Sequence, residues 1–167
     1  MSVVAAIRHV SERFGGHCLG MPDEILLRQQ LPPELCPEWL VEFLKSCPII
    51  GTTIELSEED DLSGQGAEML WMPAHQIVDE MVNASPGREA APLGYLAFGS
   101  CLIGSGDPYF MDLSKGSDDP PIIRIPHVAA VREPLDQGQI ERVAVSLSEL
   151  LLRSTVLYVP SLADAHR

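Results

Sequence analysis

Residues 93–128, LGYLAFGSCLIGSGDPYFMDLSKGSDDPPIIRIPHV, constrain the fold more than any other part of this chain. Three short apolar runs, at 93–98, 109–113 and 122–128, are separated by Gly, Ser, Asp and Pro. Runs of that length suit strands, and the residues between them are the ones that turn a backbone tightly. The stretch predicts consecutive antiparallel strands joined by short polar loops. None of those loops carries a catalytic constellation, so the expectation is a scaffold that presents a surface.

The remaining periodicities place helices around that sheet. Val3, Val4, Ile7, Val10 and Phe14 fall at helical spacing, and Gly15-Gly16 stops the helix. Residues 23–30 predict a short helix ended by Leu31-Pro32-Pro33. Pro37 suits the first turn of a third helix, in which Trp39, Leu40, Phe43, Leu44 and Cys47 form one apolar stripe before Pro48. The period then changes to two: Ile50, Thr52, Ile54 and Leu56 predict a half-buried strand over 49–56. An acidic loop at 57–65 follows, then a strand over 67–72 and a helix opened by Pro73 and running to about Val82. Residues 83–92 and 132–138 read as loops, and 140–145 as a last strand. Ser146 and Glu149 match a capping box for a final helix with Leu147, Leu150 and Leu151 on its apolar face. The tail from Val156 either adds a strand or stays loose.

Helices first, then short-loop strands, then a helix give an α+β fold: a twisted antiparallel sheet of about five to six strands with helices packed mainly on one face. The 167 residues suffice for a single domain with a proper core. That core spans about 23–153, with an N-terminal helix at 1–16 and a C-terminal tail at 154–167 as additions.

Charge narrows the function. Hydrophobic residues at 46% and charged residues at 21% are those of a soluble globular protein, but the net charge is −13. That field repels nucleic-acid phosphates and anionic membranes and steers a basic partner inward. Between Ser46 and Gly87 there are eight carboxylates (Glu55, Glu58, Glu59, Asp60, Asp61, Glu68, Asp79, Glu80) and no Lys or Arg. Asp107, Asp112, Asp118 and Asp119 form a second group beside the hairpin loops. Any one of these acids is more simply a solvated loop group than a contact. Together they repel one another, and a cationic partner would relieve that cost.

Other chemistry is not signalled. Cys18, Cys36, Cys47 and Cys101 show no C-x-x-C spacing, so a zinc ribbon or thioredoxin-type site is not indicated and buried reduced thiols are expected. His9, His17, His75, His127 and His166 form no metal-binding string, so no metal or cofactor is expected. His127 follows an apolar strand, and a structural hydrogen bond explains it better than catalysis. The run Gly104-Ser105-Gly106-Asp107 lacks the Lys-Ser/Thr of a phosphate loop and fits a hairpin turn. The N-terminus lacks the marks of a signal peptide, and no apolar run approaches a membrane span, so a cytoplasmic setting is expected.

The residues quoted above, in their order, resemble the SUKH superfamily, which includes fungal Smi/Knr-type cell-wall and signalling regulators and many bacterial immunity proteins. The likeness runs from about Asp23 to Arg153. It rests on Leu31-Pro32 before the helix carrying Trp39, Phe43 and Leu44, on residues 69–81, on the glycine-rich run leading into DPYFMD at 107–112 and the strand ending at His127, and on VSLSELL at 145–151. After the first motif helix the family usually has Asn-Gly-Gly, whereas this chain has SCPIIG at 46–51. The resemblance implies an α+β fold and a non-catalytic protein-binding role, in bacterial members often the blocking of a toxin domain. An acidic face would then mimic the polyanion that a basic nuclease toxin holds. The contact residues expected on that reading are Glu58, Glu59, Asp60, Asp61, Asp107, Asp118 and Asp119, with Tyr109 as an exposed aromatic anchor. A general regulatory or scaffold protein with no toxin partner stays open. So does an enzyme, which a cleft holding His127 against Asp107 or Asp112 would favour. Open strand edges offer a route to a homodimer.

Overall fold

A turn and a proline decide where two of the expected strands end. In the computed structural model, which describes residues 3–158, the first strand is β1, Thr53–Leu56, four residues shorter at its start than the period-two pattern implies. Gly51 takes φ +84° and bends the chain, so Ile50 pairs with His17 in an isolated bridge instead of extending the strand. Likewise the apolar run at 122–128 contributes only Ile122–Arg124 to the sheet. Pro126 has no N–H to give a ladder, and His127–Ala130 coil into a 3-10 turn.

The helices α1 (Val3–Val10), α2 (Met21–Gln30) and α3 (Glu38–Ser46) precede β1. Strand β2 (Ala67–Trp71) leads into α4 (Ala74–Val82), whose start follows Pro73 as expected. Residues 83–92, expected as a loop, hold a short helix α5 (Gly87–Ala90) and the start of a 3-10 turn (Ala91–Leu93). A side chain at Gly87 would put its Cβ 2.3 Å from the Glu80 carbonyl oxygen, so only glycine lets α5 fold back against α4. Strands β3 (Tyr95–Cys101), β4 (Tyr109–Asp112), β5 (Ile122–Arg124) and β6 (Glu141–Ala144) follow, then α6 (Leu147–Arg153) and β7 (Thr155–Tyr158). The opening of the tail thus adds an edge strand; the tail beyond residue 158, with His166, lies outside the described residues.

Seven strands form one antiparallel sheet in the order β6-β5-β4-β3-β2-β1-β7, one or two more strands than the sequence implies. β1 to β6 are a meander, and β7 returns beside β1. The two edge strands are joined only by residues 145–154. A flat seven-stranded sheet would separate its edges by about 29 Å, at ~4.8 Å per strand. A linker of one seven-residue helix and three extended residues spans only about 20 Å. The sheet therefore curls, and the curl shows directly: the Leu62 N–H, in the loop after β1, donates to the Val143 carbonyl of edge strand β6 at 3.0 Å.

β4 and β5 are buried along nearly all their length, whereas β1 and β2 alternate buried and partly open positions. Trp71 joins sheet to helices, its ring 5.9 Å from Phe43 of α3 and 4.7 Å from Phe98. Leu40, Val41, Phe43 and Leu44 are the buried face of α3, and Trp39 sits half-buried at its margin. Ser146 caps α6 by accepting from the Glu149 N–H. The reciprocal half of the expected capping box is absent, because the Glu149 carboxylate turns to Arg153 at 2.7 Å. At the other end Arg13 donates to the Leu151 and Ser154 carbonyls, covering the free C-terminal acceptors of α6. No helix among the described residues is long and apolar enough to cross a membrane.

Candidate functional site

The curl carries the acidic loop at 57–66 across to β5 and β6, and Arg124 holds it there through Ser63 and Gly66. Arg124 of β5 is 4% exposed. Its Nε donates to Glu141 Oε2 at 2.6 Å, its Nη1 to the Gly66 carbonyl and the Tyr109 hydroxyl, and its Nη2 to Ser63 Oγ at 2.8 Å. Ser63 in turn donates from both its N–H and its hydroxyl to Asp61, each at 2.8 Å. The Arg124–Asp61 pair, 3.9 Å apart, is thus bridged by a serine. Burial works against the guanidinium charge, but the hydrogen bonds to Glu141 and Tyr109 outweigh it and hold its pKa above the ordinary arginine value.

Two of the expected contact residues are therefore internal. The Asp61 side chain is wholly buried, spent on Ser63 and Arg124 rather than shown to a partner. Tyr109 is not an exposed anchor: it is fully buried beneath Arg124, whose guanidinium carbon lies 5.5 Å from the ring centre, and burial pushes its phenol up to about 12. The strand β4 points Tyr109 to the same side as Arg124, its cross-strand neighbour. Asp60 is half-buried, bound to Ser57 and Arg153. Asp119 accepts from the N–H and hydroxyl of Ser148 and so serves the first turn of α6. Glu58, Glu59 and Asp118 are exposed.

Asp107 also turns inward, at 9% exposed. Its Oδ1 accepts from the His127 N–H at 3.0 Å and lies 2.6 Å from the ring Nδ1. Burial alone would raise this carboxyl, but hydrogen bonds from Ser105 and His127 prevail and hold it below the usual carboxylate range. With Nδ1 engaged, the other ring nitrogen of the exposed imidazole is left for a further partner. Glu80 of α4 lies near enough to feel the imidazole charge; burial nevertheless raises its pKa, against the Gly87 N–H that donates to it. Sequence reasoning named His127 and Asp107 as a pair to look for, and the fold joins them; Asp112 instead caps the turn at Ser114.

The register of β1 against β2 exposes a feature no spacing rule reveals. Glu55 stands directly opposite Glu68, like charges that repel across the strand pair. Neither they nor Glu58 and Glu59 form an ion pair among the described residues. Arg28, Lys45, Arg88, Arg124 and Arg153 are all occupied by carboxylates of the fold. Of these only Arg124 is buried; the other four lie at the surface.

Arg124 was missed in the sequence, though one signal marks it: a cation within an otherwise apolar strand requires a buried partner. Among the described residues no group of three His, Cys, Asp or Glu side chains is placed to hold a metal ion. Cys36 and Cys47 are buried, Cys101 is half-buried with its thiol donating to the Ile103 carbonyl, and Cys18 is exposed. Comparison of the chain with protein-family models, with curated proteins and with solved structures gives no match.

Proposed function

We propose that this chain is a non-catalytic protein-binding module whose negatively charged surface receives a basic partner. On the SUKH resemblance, that partner is a toxin domain of nuclease type, blocked by occlusion of its substrate groove. One observation carries the reading. Among the described residues Glu55, Glu58, Glu59 and Glu68 lie together on the β1–β2 hairpin, Glu55 directly opposite Glu68, and none of the four is in an ion pair. Such a patch attracts a cationic surface over a Debye length and speeds encounter.

The test uses the product of a neighbouring gene encoding a basic domain. Association is followed by stopped flow at low and high salt, with wild type and with a variant carrying Glu55→Gln, Glu58→Gln, Glu59→Gln and Glu68→Gln. The variant is expected to associate about tenfold more slowly at low salt, with a shallower salt dependence. An unchanged rate and salt slope rejects the electrostatic mechanism. Failure to form any complex rejects the toxin partner.

The Asp107–His127 pair favours a second reading, an acid–base enzyme. A carboxylate that fixes one ring nitrogen and leaves the other open is the usual support of a general base. Against it, neither residue lines two open clefts, of about 600 and about 710 Å³, that the described residues form. Turnover of a small molecule by purified protein, lost in His127→Gln, would establish the enzyme and displace the binding module.

A further inference from the structure

Those two clefts lie on either side of one turn. The 3-10 turn Ala91–Leu93 is closed by Gly94 at φ +84°, and Pro92 and Leu93 line both cavities. The first, of about 600 Å³, is completed by α5 and the segment carrying Glu133 to Gln137. The second, of about 710 Å³, is completed by residues 32–35 and by the turn after β4. Their walls are alike: proline and leucine side chains, with charge at the rim. Three carboxylates border them, Glu34, Glu89 and Glu133, against one cation, Arg88.

Arg88 is 59% exposed but already shares its charge with a neighbouring carboxylate. It is held by Glu89 at 3.3 Å, and the −13 field of the whole chain repels anionic ligands. The Glu89 side chain is only 8% exposed. Burial would raise its pKa, but the Ser85 hydroxyl, its own N–H and Arg88 keep it below the ordinary value, so it stays charged. An apolar wall with an acidic rim fits one kind of side chain: a long aliphatic stem ending in a cation.

We propose that the paired clefts flanking Ala91–Leu93 seat a basic peptide segment of the partner, one Arg or Lys side chain entering on each side of the turn. Pro92 and Leu93 would pack against the two stems, and Glu133 and Glu34 would receive the two cationic heads. This goes beyond the acidic β1–β2 hairpin and rests on the reading of the chain as a module for basic proteins. The two surfaces divide the work: the hairpin governs approach, and the clefts govern retention.

The probe is a short oligoarginine peptide titrated into ¹⁵N-labelled full-length protein at about 0.3 M salt, where long-range steering is screened to a few ångströms. A Gln/Leu peptide of equal length is the control. Amide shifts are expected at residues 34–35, 88–94, 113–116 and 133–137 with oligoarginine and not with the control. Glu34→Gln with Glu133→Gln, both exposed and free to change without loss of packing, is expected to weaken binding about fivefold. Glu58→Gln with Glu59→Gln is expected to leave it within about twofold, since screened charges off the site contribute little. If the hairpin variant weakens binding and the cleft variant does not, the cleft assignment falls while the basic-partner reading stands. Equal binding of the Gln/Leu peptide overturns the choice of a cationic occupant. If oligoarginine binds at neither surface at any salt, both readings fall.

Discussion

Replacing Arg124 by methionine tests whether the acidic loop is held from below by a buried cation. The change keeps length and bulk and removes the charge together with every hydrogen bond the guanidinium makes. It leaves Asp61, whose side chain is wholly buried, with Ser63 as its hydrogen-bonding partner, and it leaves Glu141, 29% exposed, without its 2.6 Å contact. Breaking a buried pair by removing one member costs about 3–5 kcal/mol. Glu141 can turn to water and recover part of this, so the loss belongs near the lower figure, about 3 kcal/mol. For a domain whose total stability is of order 5–15 kcal/mol, that is a large fraction. It corresponds to a fall in Tm of about 6–12 °C at this chain length. Urea denaturation followed by tryptophan fluorescence reads the change directly, since Trp71 sits in the core. Hydrogen exchange gives the local readout: the Leu62 N–H, which bonds across to Val143, is expected to lose protection first.

The double variant Arg124→Met with Asp61→Asn is the decisive control. Asparagine keeps the acceptor toward the Ser63 N–H and removes the stranded charge, so it is expected to recover at least ~1 kcal/mol. A loss below about 1 kcal/mol in the single variant, or no recovery in the double, would refute the view that Arg124 anchors the loop.

Three further outcomes are expected. Glu80→Gln raises stability at pH 7: burial lifts the folded-state pKa above the unfolded value, so the wild-type carboxyl contributes stability below the unfolded pKa and loses it as pH rises through the folded one; denaturation at pH 4 and pH 7 should show a gain only at the higher pH. Ser146→Ala and Asp119→Ala each remove an acceptor from the first turn of α6 and should each cost about 1 kcal/mol by chemical denaturation, and equal stability in both variants would show that α6 needs neither. Iodoacetamide at pH 8 should modify exposed Cys18 first and leave Cys47 intact, because burial pushes the Cys47 thiol up to about 12; mass spectrometry of the peptides decides.

The elements with clean periodicity were legible in the sequence. α3, α4, β2 and β4 lie where the apolar stripe, Pro73 and the short runs placed them. So does the Ser146 cap, a local interaction that needs only neighbours in the chain. What was not legible depends on closure of the sheet. Tyr109 looks like a surface aromatic beside a glycine-rich loop, and only the register against β5 puts it under Arg124. Asp61 looks like its neighbours Glu58 and Glu59 until the curl brings β5 within reach of the loop. The facing of Glu55 and Glu68 is likewise a matter of register, which no composition count contains. The shortening of β1 and β5 is legible in principle, since Gly51 turns the chain and Pro126 lacks an N–H, although the apolar pattern runs past both.

The placement of the cations explains why charge on this protein is informative at all. Arg8, Lys115, Arg132 and Arg142 lie exposed without an ion pair among the described residues, whereas other cations tie parts of the fold together. Here Arg28 ties Glu24 of α2 to Glu38 of α3, Lys45 returns from α3 to the same Glu24, Arg13 closes the end of α6, and Arg124 locks the curl. Arg13 and Arg124 join segments distant in sequence, so redirecting either toward Glu55 and Glu68 would loosen a junction of the fold. Among the described residues no cation pairs with Glu55, Glu58, Glu59 or Glu68 on the β1–β2 hairpin, and Arg124 fixes the loop that follows β1. A patch fixed in shape and unrelieved in charge is pre-ordered for a cationic surface, which then gains the electrostatic energy without first having to order the loop that supplies it.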